Sequence, residues 1–381
     1  MLITAPVSAR RSIIYYYTLS RRGINHTPSV CLLQNKRTHS TTTKRYPKSY
    51  PNINARPLRS MLYVPASNNR ALAKLESLSG IHKPDCVMFD LEDGCAPNKK
   101  DDSRGHIYQF LQDRKPSSIA TSNKDYFGLI RINRVDTKWF EDDAYTCYQM
   151  CMSKAINING IVLPKIESRQ DVDLIAKHML GLCNDDDSLK DESDGSRTSS
   201  SIVSPVPLWA MIETPRAILS VAEIASQPSV QGLIIGTNDL SKELQLRPTC
   251  GSLSGTTNTT RDGLATSLQL VLLAGRAYNK PVIDGVYNNF SDEEGFRKEC
   301  MQGKEFGMDG KTLIHPNQVS ICNEILAPSH DEIEYAKRVV SCWEGSLDKG
   351  VAVLNGMMIE QLHVSTSKRL LCRAEVIESM S

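Results

Sequence analysis

Short apolar, β-branched runs recur along the chain, and each is followed by a stretch whose apolar positions return every three or four residues. Eight runs have strand character: 60–65, 86–93, 127–133, 160–167, 208–213, 232–239, 281–287 and 311–316. Between them, 69–78, 138–154, 170–180, 216–225, 262–278 and 292–306 carry helical spacing. Strand and helix alternating in this way make right-handed crossovers and a parallel sheet, and eight repeats are the number that closes a (β/α)8 barrel. The pattern predicts the barrel over residues 58–326 and a C-terminal helical extension over 327–381, with helices at 331–343 and 357–380. A barrel does not need that tail, so it either pads the cylinder or serves as a lid.

Two stretches interrupt the rhythm. Residues 184–202 are acidic and serine-rich, cannot bury apolar area, and read as a disordered, solvated insertion between the fourth helix and the fifth strand. Residues 247–261, rich in Gly, Ser and Thr, read as a loop on the pocket side.

Composition changes the picture at the N-terminus. Residues 1–59 hold 11 Lys and Arg and no acid, so the remaining 34 basic residues face all 43 acidic ones. The body is therefore acidic, and residues 1–55 have the Arg-rich, hydroxyl-rich, acid-free character of a mitochondrial targeting presequence. This predicts a matrix protein. No basic stripe interleaved with aromatics continues into the body, which argues against a nucleic-acid partner. No run of 18 apolar residues occurs, which argues against a membrane span. The 11 cysteines are scattered without a Cys-x-x-Cys pair, as reduced thiols would be. Cys147 and Cys151 stand one helical turn apart and read as a thiol-lined core face rather than a soft-metal site.

The chemistry lies at the ends of the strand runs. The second ends in Asp90, Glu92 and Asp93, the third in Arg131, the fourth in Lys165, the fifth in Glu213 and the sixth in Asp239. In a parallel barrel these positions share one rim. Glu213 and Asp239 suit a hard divalent cation with positions left open for water and substrate oxygens, which points to Mg²⁺. Arg131 offers a bidentate fork to a substrate carboxylate. Asp90, Glu92, Asp93 and Lys165 form an outer shell that either orients water on the ion or balances charge through Arg131 and Lys165. His315, before Pro316, reads as a strand-end histidine bonded to backbone rather than as a base. Together the rim fits an anionic, metal-chelating small molecule such as a 2-oxo or 2-hydroxy acid.

Seven motifs in order carry a resemblance: Arg59-Ser-Met-Leu-Tyr-Val-Pro, Asp90-Leu-Glu-Asp-Gly, Arg131-Ile-Asn, Leu163-Pro-Lys-Ile-Glu, Met211-Ile-Glu-Thr-Pro-Arg-Ala, Gly236-Thr-Asn-Asp-Leu and Gly310-Lys-Thr-Leu-Ile-His-Pro-Asn-Gln. The chain resembles the citrate lyase beta subunit branch of the HpcH/HpaI aldolase superfamily, and within it the mitochondrial citramalyl-CoA lyases. The resemblance implies a homotrimer of barrels with Mg²⁺ on Glu213 and Asp239 and with Arg131 on the substrate carboxylate. It also implies a CoA moiety near Tyr63, Arg70 and Lys74, Arg70 standing where such members have Lys, and a further part of the substrate site at the backbone of Thr312 and Leu313. Glu360 matches a lid residue, Asp in the family, that a neighbouring subunit contributes for proton transfer. The implied reaction is retro-Claisen cleavage of a 3-hydroxy-3-carboxyacyl-CoA, of the citramalyl-CoA or malyl-CoA type, to a 2-oxo acid and acetyl-CoA. Thioester hydrolysis, condensation in the reverse direction, an aldolase acting on free hydroxy-oxo acids and a barrel that only binds metabolites are the alternatives.

Overall fold

The computed structural model describes residues 56–113, 127–153, 156, 158–185, 203–246, 261–345 and 351–380. The proposed presequence, most of the acidic insertion and residues 247–260 lie outside the described residues. Eight parallel strands, β1 (Ser60–Pro65), β2 (Cys86–Asp90), β3 (Phe127–Arg131), β4 (Gly160–Leu163), β5 (Leu208–Ile212), β6 (Val230–Ile235), β7 (Val282–Asp284) and β8 (Gly310–Leu313), close on themselves in chain order. Closure is made where β8 pairs with β1, Met61 opposite Thr312 and Leu62 opposite Leu313.

Period-two alternation divides the core. Met61, Cys86, Met88, Leu129, Val162, Trp209, Met211, Ile234 and Ile283 fill the cylinder. Leu62, Val87, Phe89, Ile130, Ile161, Ile212 and Ile235 face outward and join the helices in one larger cluster. Trp209 fits because Gly232 on the neighbouring strand has no side chain, since a Cβ there would overlap the indole ring.

The strands are followed by helices α1 (Asn69–Glu76), α2 (Lys100–Asp113), α3 (Phe140–Met152), α4 (Arg169–Asp185), α5 (Pro215–Ala225), α6 (Thr237–Glu243), α7 (Ala265–Ala277), α8 (Glu293–Phe306) and α9 (Asn317–Leu326). Helix α4 runs to Asp185, five residues beyond the expected end, so the acidic insertion begins inside a helix. Cys147 is fully buried on α3, with Cys151 on the same helix and both thiols free, and burial pushes Cys151 up to about 12, as inert core thiols require. No helix among the described residues is long and apolar enough to cross a membrane.

The extension corrects one expectation. Residues from Met357 do not begin a helix. A β-hairpin comes first, β9 (Ala352–Leu354) paired antiparallel with β10 (Met357–Ile359), and only then the long helix α11 (Gln361–Met380). It packs beside α10 (His330–Glu344), with Val339, Ala352, Ile359 and Val364 as a small core of its own. Arg373 on α11 donates from Nη2 to the Asp309 carbonyl at 3.1 Å, just before β8 starts. Asp309 also holds Arg276 at 2.7 Å, and Arg59 forks onto Asp85 beside it. This ion-pair girdle therefore lies at the N-terminal ends of the strands, the end opposite the predicted site.

Candidate active site

The inward positions at the C-terminal ends of β1, β2, β3 and β5 are Tyr63, Asp90, Arg131 and Glu213. Each continues an apolar inward row, so the barrel supplies them as its uppermost layer. Arg131 donates from Nε to Asp90 Oδ1 at 2.8 Å and from Nη2 to Oδ2 at 2.6 Å, a planar bidentate pair. Its remaining edge turns to Glu92, Nη1 lying 2.8 Å from Oε2. That contact is off the N–H axis, and Glu92 Oε2 is buried with no aligned hydrogen bond. The guanidinium also stacks on the Tyr63 ring, 4.9 Å from its centroid. Asp90 accepts the backbone N–H of Glu92 and of Gly94 as well, so it both curls the loop after β2 and orients the arginine. Asp93 is exposed and stands outside this arrangement.

Glu213 follows β5 where Thr214 caps α5 by accepting the Ala217 N–H at 3.1 Å and Pro215 opens its first turn. The strand therefore stops at Glu213 and leaves its side chain in the mouth, 2% exposed. Gly236 makes room for it, since a Cβ there would lie 2.6 Å from Glu213 Oε1. The Lys165 N–H donates to Glu213 Oε2 at 2.9 Å. Burial, and then the charge of Glu92, push the Glu213 carboxyl up to about 7. Asp239 belongs to the first turn of α6 rather than to the end of β6 as the sequence implied, because Gly236 stops the strand and Thr237 begins a helix.

Lys165 joins the pieces. Its Nζ lies 3.9 Å from Asp239 Oδ1 and 4.0 Å from Glu92 Oε1. The strand predicted over 160–167 ends at Leu163, since Lys165 adopts φ 52°, a left-handed backbone that no strand contains. Beside it opens a cavity of about 410 Å³ lined by Asn133, Arg134, Lys165, Thr214, Asp239 and Lys242 among others.

Other expected residues sit apart. Arg70 and Lys74 are exposed one turn apart on α1, outside the carboxylate cluster. Thr312 and Leu313 lie within β8 with buried side chains, and the Thr312 hydroxyl donates to the Asp284 carbonyl at 3.0 Å. His315 Nδ1 accepts the Asn317 N–H at 3.2 Å while its ring stacks on Phe290. Glu360 follows β10 on the extension, where its N–H donates to His363 Nδ1 at 2.9 Å, and among the described residues no hydrogen bond or ion pair joins it to Glu213 or Asp239.

Two groups escaped the sequence reading. Lys100 on α2 is buried and donates to the carbonyls of Leu91 and Glu92 and to Asn133 Oδ1 at 2.6–2.9 Å, locking the loops after β2 and β3. Its place after the Asp90-Leu-Glu-Asp-Gly motif was the available signal. Beyond β7, Lys311, Asp284, Arg261 and Glu299 form a buried quartet. Burial would raise Asp284, but Lys311 and Arg261 outweigh it and hold the carboxyl below its ordinary value.

Four carboxylates, Asp90, Glu92, Glu213 and Asp239, thus face two cations, Arg131 and Lys165. With every carboxyl ionised the mouth carries a formal excess of two negative charges, the deficit that one divalent cation would fill, and the raised Glu213 shows what burial costs that charge. Among the described residues no three His, Cys, Asp or Glu side chains form a metal-binding group; Glu213 and Asp239 are the pair that could hold such an ion with positions open for other oxygens.

Residues 59–316 match the HpcH/HpaI aldolase/citrate lyase family. A (3S)-malyl-CoA thioesterase of Cereibacter sphaeroides is 38% identical over 330 residues, covering 85% of this chain and 96% of the relative. The citrate lyase subunit beta of Escherichia coli is 31% identical over 324 residues, covering 84% and 93%. The structure of CitE from Mycobacterium tuberculosis in complex with magnesium, acetoacetate and coenzyme A superposes with a TM-score of 0.61 at 24% identity, covering 84% of this chain and 98% of that one, and shows the same barrel fold. By the match to its central 258 residues and the identity of these relatives, the chain belongs to the HpcH/HpaI aldolase/citrate lyase family.

Proposed function

We propose that the protein is a Mg²⁺-dependent carbon–carbon lyase that cleaves a 3-hydroxy-3-carboxyacyl-CoA of the citramalyl-CoA or malyl-CoA type to a 2-oxo acid and acetyl-CoA. The observation that carries this reading is the excess of two negative charges beside an open cavity at the barrel mouth. The names of the relatives support it, since one acts on a malyl-CoA thioester and a structural neighbour holds magnesium, a 3-oxo acid and coenzyme A.

Glu213 and Asp239 would hold the ion, which when bound would supply Lewis-acid polarisation of the oxygen on the carbon being released. The Lys165 N–H fixes the rotamer of Glu213, and Asp90 fixes that of Arg131. Nη1 of Arg131, which faces Glu92 without an aligned hydrogen bond, would take the substrate carboxylate, while burial keeps the Tyr63 phenol a neutral donor beside it. Arg70 and Lys74 offer two exposed cations to the phosphates of a CoA tail. Glu360, carried by a second copy in a homotrimer, takes the hydroxyl proton. The carbon–carbon bond breaks, its electron pair passes to the thioester as an enolate, and the proton returns to carbon to give acetyl-CoA. Val353, Met357, Met358 and Leu362 are 51–68% exposed around Glu360, which supports the extension being covered by a partner copy. The basic, acid-free residues 1–59 support a mitochondrial matrix location.

Hydrolysis of a malyl thioester is the second reading, favoured by four relatives at 36–38% identity that carry a thioesterase name. One assay separates the two. The lyase releases pyruvate from citramalyl-CoA, or glyoxylate from malyl-CoA, without free thiol; the thioesterase releases thiol without a 2-oxo acid. Failure to turn over either thioester, with Glu213→Ala indistinguishable from the parent, would sink both.

A further inference from the structure

Lys165 combines features that its place in the fold does not require. Its backbone is left-handed at φ 52°, a conformation that strains a lysine and that Asn or Gly would adopt more readily. The twist lets one residue act on both carboxylates of the metal pair, the N–H on Glu213 at 2.9 Å and the ammonium 3.9 Å from Asp239. The ammonium also lies 4.0 Å from Glu92, whose Oε2 lacks an aligned partner. At these distances it neutralises the mouth loosely, without a close hydrogen bond, and its side chain remains 26% exposed along the cavity.

We infer that Lys165 is a displaceable counter-ion that couples the metal to an anionic ligand. In the metal-free protein its ammonium shares Asp239 and Glu92. A divalent cation on Glu213 and Asp239 repels it into the 410 Å³ cavity, where it meets the carboxylate of a 2-oxo acid. The ion therefore binds against Lys165 when alone and with its help once the acid is present. The inference rests on the proposed metal site, and the left-handed backbone at a residue whose N–H and ammonium address both carboxylates is the feature it explains.

Mn²⁺ binding to the full chain, read by electron paramagnetic resonance or calorimetry with and without pyruvate, tests it. Removing a unit charge about 4 Å from a ligand strengthens Mn²⁺ binding roughly 10-fold in Lys165→Met without pyruvate, and pyruvate no longer tightens it. Lys165→Asn, which keeps the left-handed backbone, behaves the same, while Lys165→Arg keeps the parental coupling. Unchanged or weaker Mn²⁺ binding in both uncharged variants overturns the inference, as does pyruvate coupling that survives in them. Parent protein that binds no Mn²⁺, as Glu213→Gln is expected to do, overturns the metal reading itself and is seen before any Lys165 variant is compared.

Discussion

Glu213 is an acid whose surroundings favour its neutral form. Its carboxyl binds a proton more tightly in the folded chain than unfolded, because burial and Glu92 push it from 4.5 to about 7. The resulting stability is fully present below pH 4.5 and is lost as pH rises through about 7, an effect on the order of 3 kcal/mol. In EDTA, Glu213→Gln should therefore melt roughly 5 °C above the parent at pH 8 and close to it at pH 5. A variant equally stable at both values would contradict the burial argument. Arg131 and Glu213 were legible in the sequence because each closes an apolar run, whereas Tyr63 was reached only through the family resemblance. Lys100 was not, because it reaches the rim from a helix, and nothing in helical spacing tells a buried lysine from a solvated one. Nor did the run through Lys165 betray its turn, since its N–H is bound by Glu213, a residue far along the chain that no local pattern contains.

Among the elements, the β9–β10 hairpin shows how a short signal is lost inside a longer pattern. Asn355 and Gly356 take φ 52° and 79°, the pair of left-handed residues that a tight hairpin turn demands. Asn-Gly was present in the sequence, but the apolar residues after it merge with the periodicity of α11 and extend the helix artificially. A Cβ at Gly356 would meet open space, so Gly356→Ala acts through backbone strain alone. It should cost about 1 kcal/mol, speed amide hydrogen exchange in residues 352–360 about five-fold, and leave the barrel amides unchanged. Uniform loss of protection across the barrel would show that the hairpin is instead integral to the cylinder. The eight barrel strands were legible because their apolar alternation is not diluted by any neighbouring element.

At the scale of the molecule, the proposed metal-binding carboxylates and the fastening groups occupy opposite ends of the cylinder. Arg59, Asp85, Arg276, Asp309 and Arg373 fasten the N-terminal end, whereas Glu213 and Asp239 open at the other, and among the described residues no hydrogen bond or ion pair ties Glu360 to either group. If Glu360 serves a second copy, Glu213→Gln and Glu360→Gln proteins, each inactive, should recover measurable turnover after being unfolded together and refolded. No recovery, with assembly intact by light scattering, would assign the two residues to one chain or remove Glu360 from the reaction. The buried quartet has another consequence. Arg261 is clamped to Asp284, and Leu246 lies against Gly263 so closely that a Cβ there would stand 3.1 Å from its methyl group. Leu246 and Gly263, which flank residues 247–260 in the sequence, therefore stand side by side. A foreign segment spliced there would add only about 0.6 kcal/mol of closure entropy for each doubling of its length, making this the natural port for grafting new recognition onto the scaffold.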